Sequence, residues 1–262
     1  MKFEKITSRQ NPEIKRIRAL AKDKSERSST GEFVCDGEKL LGEAIASGME
    51  IGTILANEEK LPNLPEDIKA KCLAVSQDIL DSITTLKSAQ SVIFTCKMKK
   101  QETLGNIRRA ILLDGLQDTG NIGTIIRTAD AFGIDAVFAD GCADIYNPKT
   151  IRSAMGSIFR VPVFEASLPI LIPRLRGEGY VVYCSELRGD VAEISECDFS
   201  KCAVVIGNEG NGVRPEVSFL CDRSVIIPMQ GGAESLNAAV AAAIFMFKMS
   251  EGEIADESAF EA

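Results

Sequence analysis

From residue 110 onward, short and wholly apolar segments alternate with helical stretches, and this alternation restricts the fold more than any other feature of the chain. Strands are predicted at 110–114, 135–140, 180–184, 202–206 and 224–228. A run such as Ala203-Val204-Val205-Ile206 has no polar face. Both sides of its sheet must therefore be covered, which is the signature of a parallel sheet with helices on its two faces. Ligands of such sheets bind beyond the carboxyl ends of the strands. Glycine-rich loops follow the apolar runs at those ends, around Gly115, at Gly207, Gly210 and Gly212, and at Gly231 and Gly232.

The first hundred residues read as a smaller α/β unit. A helix is predicted over Pro12–Lys24, with Asn11 as N-cap, Pro12 at the first helical position and Ile14, Ile17, Leu20 and Ala21 as its apolar stripe. Ser25–Gly31 reads as a polar connector. A strand follows at Phe33–Cys35, a helix at Glu38–Ala46 and strands at Ile51–Leu55 and Cys72–Val75, with a surface loop at 58–67. Thr95–Asn106, rich in lysine, reads as a linker. The expected division is 1–100, then 107–250, then an acidic tail at 251–262 with five acids and no base.

A chain of 262 residues accommodates two small domains, and 45% hydrophobic with 26% charged residues is a globular composition. No apolar run approaches the roughly 20 residues of a membrane helix. The longest, Ala238–Phe247, reads as an alanine-rich core helix. The N-terminus has no apolar signal region, so the expected location is cytoplasmic, with no membrane partner. There is no histidine, which excludes Ser-His and Cys-His nucleophiles and any histidine base. The eight cysteines form no C-x-x-C pair, so reduced thiols and no metal site are expected. The formal net charge is −8, yet residues 1–30 hold nine basic and four acidic residues. A basic N-terminal face on an acidic body fits phosphate binding, and equally a solvated helix.

Three segments carry candidate chemistry. In 114–133 a strand runs into Gly115 and a helix opens near Ile122, with Asn121 at its entrance and Arg127 about one turn in. A cation there opposes the helix dipole, which suggests a functional site; an Arg127–Asp130 surface pair is the plainer reading. In 202–215 the glycines match neither dinucleotide nor phosphate-loop spacing, and Glu209 stands among them. In 224–247 a strand ends at Pro228 and a helix begins near Ser235. Ser235 reads as an N-cap, and Asn237 has no evident local role.

These segments, in this order, resemble the three motifs of the SpoU/TrmH family of RNA 2′-O-methyltransferases, in the SPOUT superfamily. The residues that carry the resemblance are NIGTIIR (121–127), IGNEGNGV (206–213) and IPMQGGAESLNAAVAAAI (227–244), with IRSAMGSIFRVPV (151–163) between them. TSRQNP (7–12) and FVCDGEKLLGEAI (33–45) resemble the substrate-binding domain often fused in front. Two positions depart from the family pattern: Thr119 where proline is usual, and Asp36 where glutamate is usual.

The resemblance implies a trefoil-knotted, parallel-sheet methyltransferase domain behind a small α/β RNA-binding domain, and a homodimer. It also implies S-adenosylmethionine as methyl donor, held by Gly207, Ile227, Met229 and Leu236. Asn121, Arg127, Glu209, Ser235 and Asn237 would form the catalytic cluster. The sulfonium is already a good leaving group, so alignment of a ribose 2′-oxygen and charge stabilisation suffice without metal. Arg127 is either the family's general base or, more consistent with a guanidinium pKa above about 12, a phosphate and alkoxide stabiliser. The expected substrate is RNA, ribosomal in preference to transfer RNA because of the fused domain. An inactive RNA-binding module of the same fold, a knotted base methyltransferase and, more remotely, a nucleotide-dependent oxidoreductase are the alternatives.

Overall fold

The computed structural model describes residues 3–61, 68–84, 89–99, 107–186, 191–232 and 234–251. The chain packs as two units, Met1–Lys100 with Asp144–Phe159, and Gln101–Ala143 with Arg160–Ala262. Parts of the expected linker (100–106), surface loop (62–67) and acidic tail (252–262) lie outside the described residues.

The first unit contains β1 (Glu4–Ile6), α1 (Pro12–Lys22), α2 (Lys24–Thr30), β2 (Glu32–Asp36), α3 (Glu38–Ala46), β3 (Ile51–Ala56), β4 (Lys71–Val75), α4 (Gln77–Asp81) and β5 (Val92–Lys97). Its mixed sheet runs β1-β4-β3-β5-β2. Asn11 caps α1 through the Glu13 N–H at 2.9 Å, and Ile14, Ile17, Leu20 and Ala21 are buried as their spacing requires. The stretch expected as a connector is α2. Asp23 stops α1 and caps α2, and Gly31 closes it at φ 64°. The sequence hid this helix because its one buried residue is Arg27, so it has no apolar stripe to detect. The expected linker also begins too early. Thr95 and Cys96 are fully buried in β5, continuing the apolar run Val92-Ile93-Phe94.

The segment 144–159, with α6 (Pro148–Ala154) and a 3-10 turn at Ser157–Phe159, belongs to this first unit. Arg27, 2% exposed, donates to Asp144 from Nε at 2.8 Å and Nη2 at 2.5 Å. Phe33 lies 4.8 Å from the Tyr146 ring and 6.4 Å from Phe159. Lys99 donates to the Phe159 carbonyl at 2.6 Å. The packing units thus depart from a single division near residue 100, because Ile151, Ala154, Ile158 and Phe159 are buried with the first unit.

The second unit contains β6 (Arg109–Asp114), α5 (Thr119–Ala131), β7 (Ala136–Asp140), β8 (Val163–Glu165), α7 (Leu168–Gly177), β9 (Val181–Ser185), β10 (Val191–Glu193), β11 (Cys202–Gly207), α8 (Pro215–Ser218), β12 (Arg223–Ile226) and α9 (Ala238–Ser250). Its strands run β10-β12-β9-β11-β6-β7-β8, and every pairing is parallel. The five predicted strands are all present. The two missed, β8 and β10, are three-residue edges too short to show a pattern. The chain order reverses between β6 and β11, the switch point at which such sheets bind ligands. α9 packs on α5 and β11, bringing the third segment to that point. No helix among the described residues is long and apolar enough to cross a membrane.

Candidate active site

The loop after β6 is shaped by its own polar groups. Gly115 takes φ 73°, and Asp118 caps α5 by accepting from the Gly120 and Asn121 N–H groups at 2.6 and 3.3 Å. α5 therefore begins at Thr119, three residues earlier than expected. The loop after β11 closes on itself, with Asn208 and Gly212 exchanging backbone hydrogen bonds of 2.9 Å. The Asn208 side chain donates to the Gly115 carbonyl at 2.7 Å. A Cβ on Gly207 would stand 2.3 Å from the Gly212 carbonyl carbon, so glycine is required there by the loop's own backbone.

The closed loop aims Glu209 at the start of α5. Its carboxylate accepts from Asn121 Nδ2 at 3.1 Å and from the backbone N–H groups of Gln117 and Asp118 at 3.3 and 3.2 Å. Asn121 Oδ1 in turn accepts from Asn237 Nδ2 at 3.0 Å. Burial works to raise the Glu209 carboxyl. Hydrogen bonds from its own N–H, from Asn121 and from the Gln117 and Asp118 backbone outweigh it, and the group is held below its usual 4.5. Glu209 is thus an anion that orients Asn121, which orients Asn237.

Asn237, without a role in the sequence reading, is the N-cap of α9. Its Oδ1 accepts from Ala239 and Val240 N–H at 2.9 and 3.3 Å. The helix starts at Ala238, so the expectation of Ser235 as its cap is corrected. Ser235 is exposed and lines the neighbouring cleft.

That cleft, of about 750 Å³, spans the carboxyl ends of β11, β9 and β12. Gly207, Ile227, Met229 and Leu236, the four expected donor contacts, all line it, with Glu209 and Ser235 at its edge. Ile206, Val225 and Ile226 add apolar wall. Glu186, Glu209 and Glu234 line it as well, and among the described residues no lysine or arginine does. Such a lining is unsuited to a pyrophosphate and suited to an apolar ring carrying a cation. Among the described residues no group of three or more His, Cys, Asp or Glu side chains is placed to hold a metal.

Arg127 stands apart. It is exposed, and it lies in the middle of α5 because the helix starts early, so the argument from an opposed dipole does not apply to it. Six residues beyond Asn121, it points roughly 120° away around the helix. It does not pair with Asp130, whose carboxylate holds Arg160 at 2.7 Å. The opposed cation is instead Arg214, which sequence reasoning missed. It is the N-cap residue of α8 and makes no side-chain cap. Its guanidinium bridges Asp114 and Asp140 at 2.6 Å each, and its N–H reaches Asp114 at 2.7 Å. This clamp fixes the exit of the Glu209 loop to the ends of β6 and β7. The dipole argument used on Arg127 would have found it.

An all-parallel sheet, a cleft at the carboxyl ends of its strands and a hydrogen-bonded chain joining three loops define a ligand-binding α/β enzyme site. Residues 108–247 match the SpoU rRNA Methylase family, and residues 11–93 match the MRM3-like substrate binding domain. The chain belongs to the SpoU rRNA methylase family. It is 37% identical over 250 residues to the 23S rRNA (guanosine(2553)-2′-O)-methyltransferase RlmP of Bacillus subtilis (strain 168), covering 94% of this chain and 99% of that protein. Among solved structures it is similar to the AdoMet-bound rRNA methyltransferase from Sinorhizobium meliloti, with a TM-score of 0.84 and 29% identity over 94% of this chain and 97% of that one. It is also similar to the SpoU methyltransferase AviRb from Streptomyces viridochromogenes in complex with AdoMet, with a TM-score of 0.83 and 27% identity over 94% and 99%.

Proposed function

We propose that the protein transfers a methyl group from S-adenosylmethionine to a ribose 2′-hydroxyl of ribosomal RNA. The observation that carries this reading is the Glu209–Asn121–Asn237 chain at the edge of a cleft in which no described lining residue is a lysine or arginine. The donor supplies an electrophilic methyl on a sulfonium. The apolar wall of Ile206, Val225 and Ile227 takes its purine, and backbone groups at Gly207, Ile227, Met229 and Leu236 hold the rest. Asn121, Ser235 and Asn237 orient the ribose hydroxyl, with Glu209 fixing the amide of Asn121. Arg127, facing solvent, binds the phosphate beside the target ribose and stabilises the developing alkoxide, a contact made only with RNA present.

The first unit is the proposed RNA-binding domain. Its match to a substrate-binding domain supports this. The sequence charge overstates its basic face, since Arg9, Arg16 and Arg18 are engaged by Asp78, by Glu13 with Glu32, and by Ser82. Lys15 and Lys22, on one exposed face of α1, are the better phosphate contacts.

A homodimer belongs to the proposal. α9 exposes Val240 (49%) and Phe247 (46%), seven residues apart on one face. The implied trefoil knot is supported by the path from β12 back across β9 to seat α9 on β11. An intracellular location follows from the RNA substrate. The test is methyl transfer to ribosomal RNA from cells lacking the gene, with nuclease mapping of the product. A methyl on a base, or no transfer, overturns the reading.

A further inference from the structure

Asp114 and Asp140 are register partners at the last rung of the β6–β7 ladder, so two carboxylates stand side by side at the ends of adjacent strands. Like charges in that position repel, and Asp114 is wholly buried. The exit of the Glu209 loop supplies the Arg214 guanidinium that bridges them, and Asp140 Oδ2 also accepts from the Leu168 N–H at 2.9 Å. One residue further along both strands, Gln117 Nε2 donates to the Gly115 and Gly141 carbonyls at 3.0 Å each. The two strand ends are thus cross-linked twice in succession, first through Arg214 and then through Gln117.

The second cross-link leads directly to the site, because the backbone N–H groups of Gln117 and Asp118 donate to Glu209. Asn208 Nδ2 donates to the Gly115 carbonyl, so the 208–214 loop is fastened to the end of β6 on both sides of Glu209. The spacing of the β6 and β7 ends therefore sets where the Glu209 carboxylate meets its donors. Arg214 is not among the residues that line the cleft. We infer that Arg214 is a positioning residue for methyl transfer: by bridging Asp114 and Asp140 it holds the Glu209–Asn121–Asn237 chain in alignment, and it acts on the reaction through Glu209. The inference rests on the methyl-transfer reading above. The fork matters as well as the charge, since Nε and Nη2 reach carboxylates on different strands at 2.6 Å each, and lysine offers one nitrogen in place of two.

The experiment is a double-mutant cycle on the full chain, read as single-turnover methyl transfer to ribosomal RNA at saturating donor and RNA. Arg214→Ala should lower the rate at least about tenfold, and Arg214→Lys should fall between it and wild type. In a Glu209→Ala background the same Arg214→Ala change should cost less than about twofold, because the residue it acts through is already gone. Losses that multiply, or a loss of affinity with the saturated rate unchanged, overturn the inference. If Arg214→Ala does not fold, Arg214→Lys carries the same cycle. A second readout needs no turnover: the Glu209 carboxyl is titrated by carbon-13 NMR in wild type and in Arg214→Lys, which keeps the charge. In wild type hydrogen bonds outweigh burial and hold the group below 4.5. In Arg214→Lys it should move up toward 4.5 as the Gln117 and Asp118 N–H groups draw away, and an unchanged titration overturns the inference. If wild type transfers no methyl yet the titration moves, the positioning of Glu209 stands and the methyl-transfer reading fails.

Discussion

Asn237 donates its side-chain amide to Asn121 Oδ1 across 3.0 Å while its own Oδ1 caps α9. One side chain thus starts the last helix and completes the chain that begins at Glu209. The two duties are separable. Asn237→Asp keeps the capping oxygen but cannot donate to Asn121, so its melting temperature should stay near wild type while methyl transfer falls at least about tenfold, the effect of one lost hydrogen bond. Asn237→Ala should lose both, with about 1 kcal/mol of stability and a melting point lower by about 2–4 °C. Thermal melts beside single-turnover kinetics check this.

Arg127 should matter to turnover and not to folding. Among the described residues no hydrogen bond or ion pair reaches it. Arg127→Ala is expected to melt as wild type does and to transfer methyl roughly 10²-fold more slowly. Arg127→Lys should rescue in part, since it keeps the charge and loses the planar fork. Near-normal transfer by Arg127→Ala on ribosomal RNA would remove it from the site.

Arg27 and Asp144 form the ion pair that ties 144–159 into the first unit, with side chains 2% and 10% exposed. Arg27→Ala strands a buried carboxylate and should cost about 3–5 kcal/mol in urea unfolding. Replacing both residues by apolar side chains of similar volume should cost much less. Equal losses in the single and double variants would show that the charges do not depend on each other.

Two glycines of one loop should respond in opposite ways. Gly207→Ala places a Cβ 2.3 Å from backbone and must open the Glu209 loop, with loss of donor binding by calorimetry. At Gly210 an added Cβ meets only Asn208 Oδ1, at 3.6 Å, so Gly210→Ala should bind donor normally.

The Glu209 carboxyl is held below 4.5, burial being outweighed by the N–H groups around it. A group with a depressed folded-state value stabilises the fold above its unfolded value, and loses that contribution as pH falls through the folded one. The melting-point difference between wild type and Glu209→Gln should be constant from about pH 7 down to about pH 5 and shrink only below that. A difference that already declines near neutrality would contradict the hydrogen-bonded arrangement.

What was legible in the sequence was whatever is local and periodic. Apolar runs such as Ala203–Ile206 marked buried parallel strands, and the spacing Ile14, Ile17, Leu20 marked a helix face, because burial of a continuous side is decided within a few residues. The motif residues Asn121, Glu209 and Asn237 were legible through family resemblance. Their connection was not, since hydrogen bonds across 88 and 116 residues depend on where the sheet reverses its strand order. Polar interiors were equally hidden. α2 buries an arginine against an aspartate far along the chain, Arg214 is neutralised by two aspartates at separate strand ends, and Glu186 is gripped by serines of two other elements. A charged residue takes its meaning from its partner, and only the tertiary fold supplies that partner.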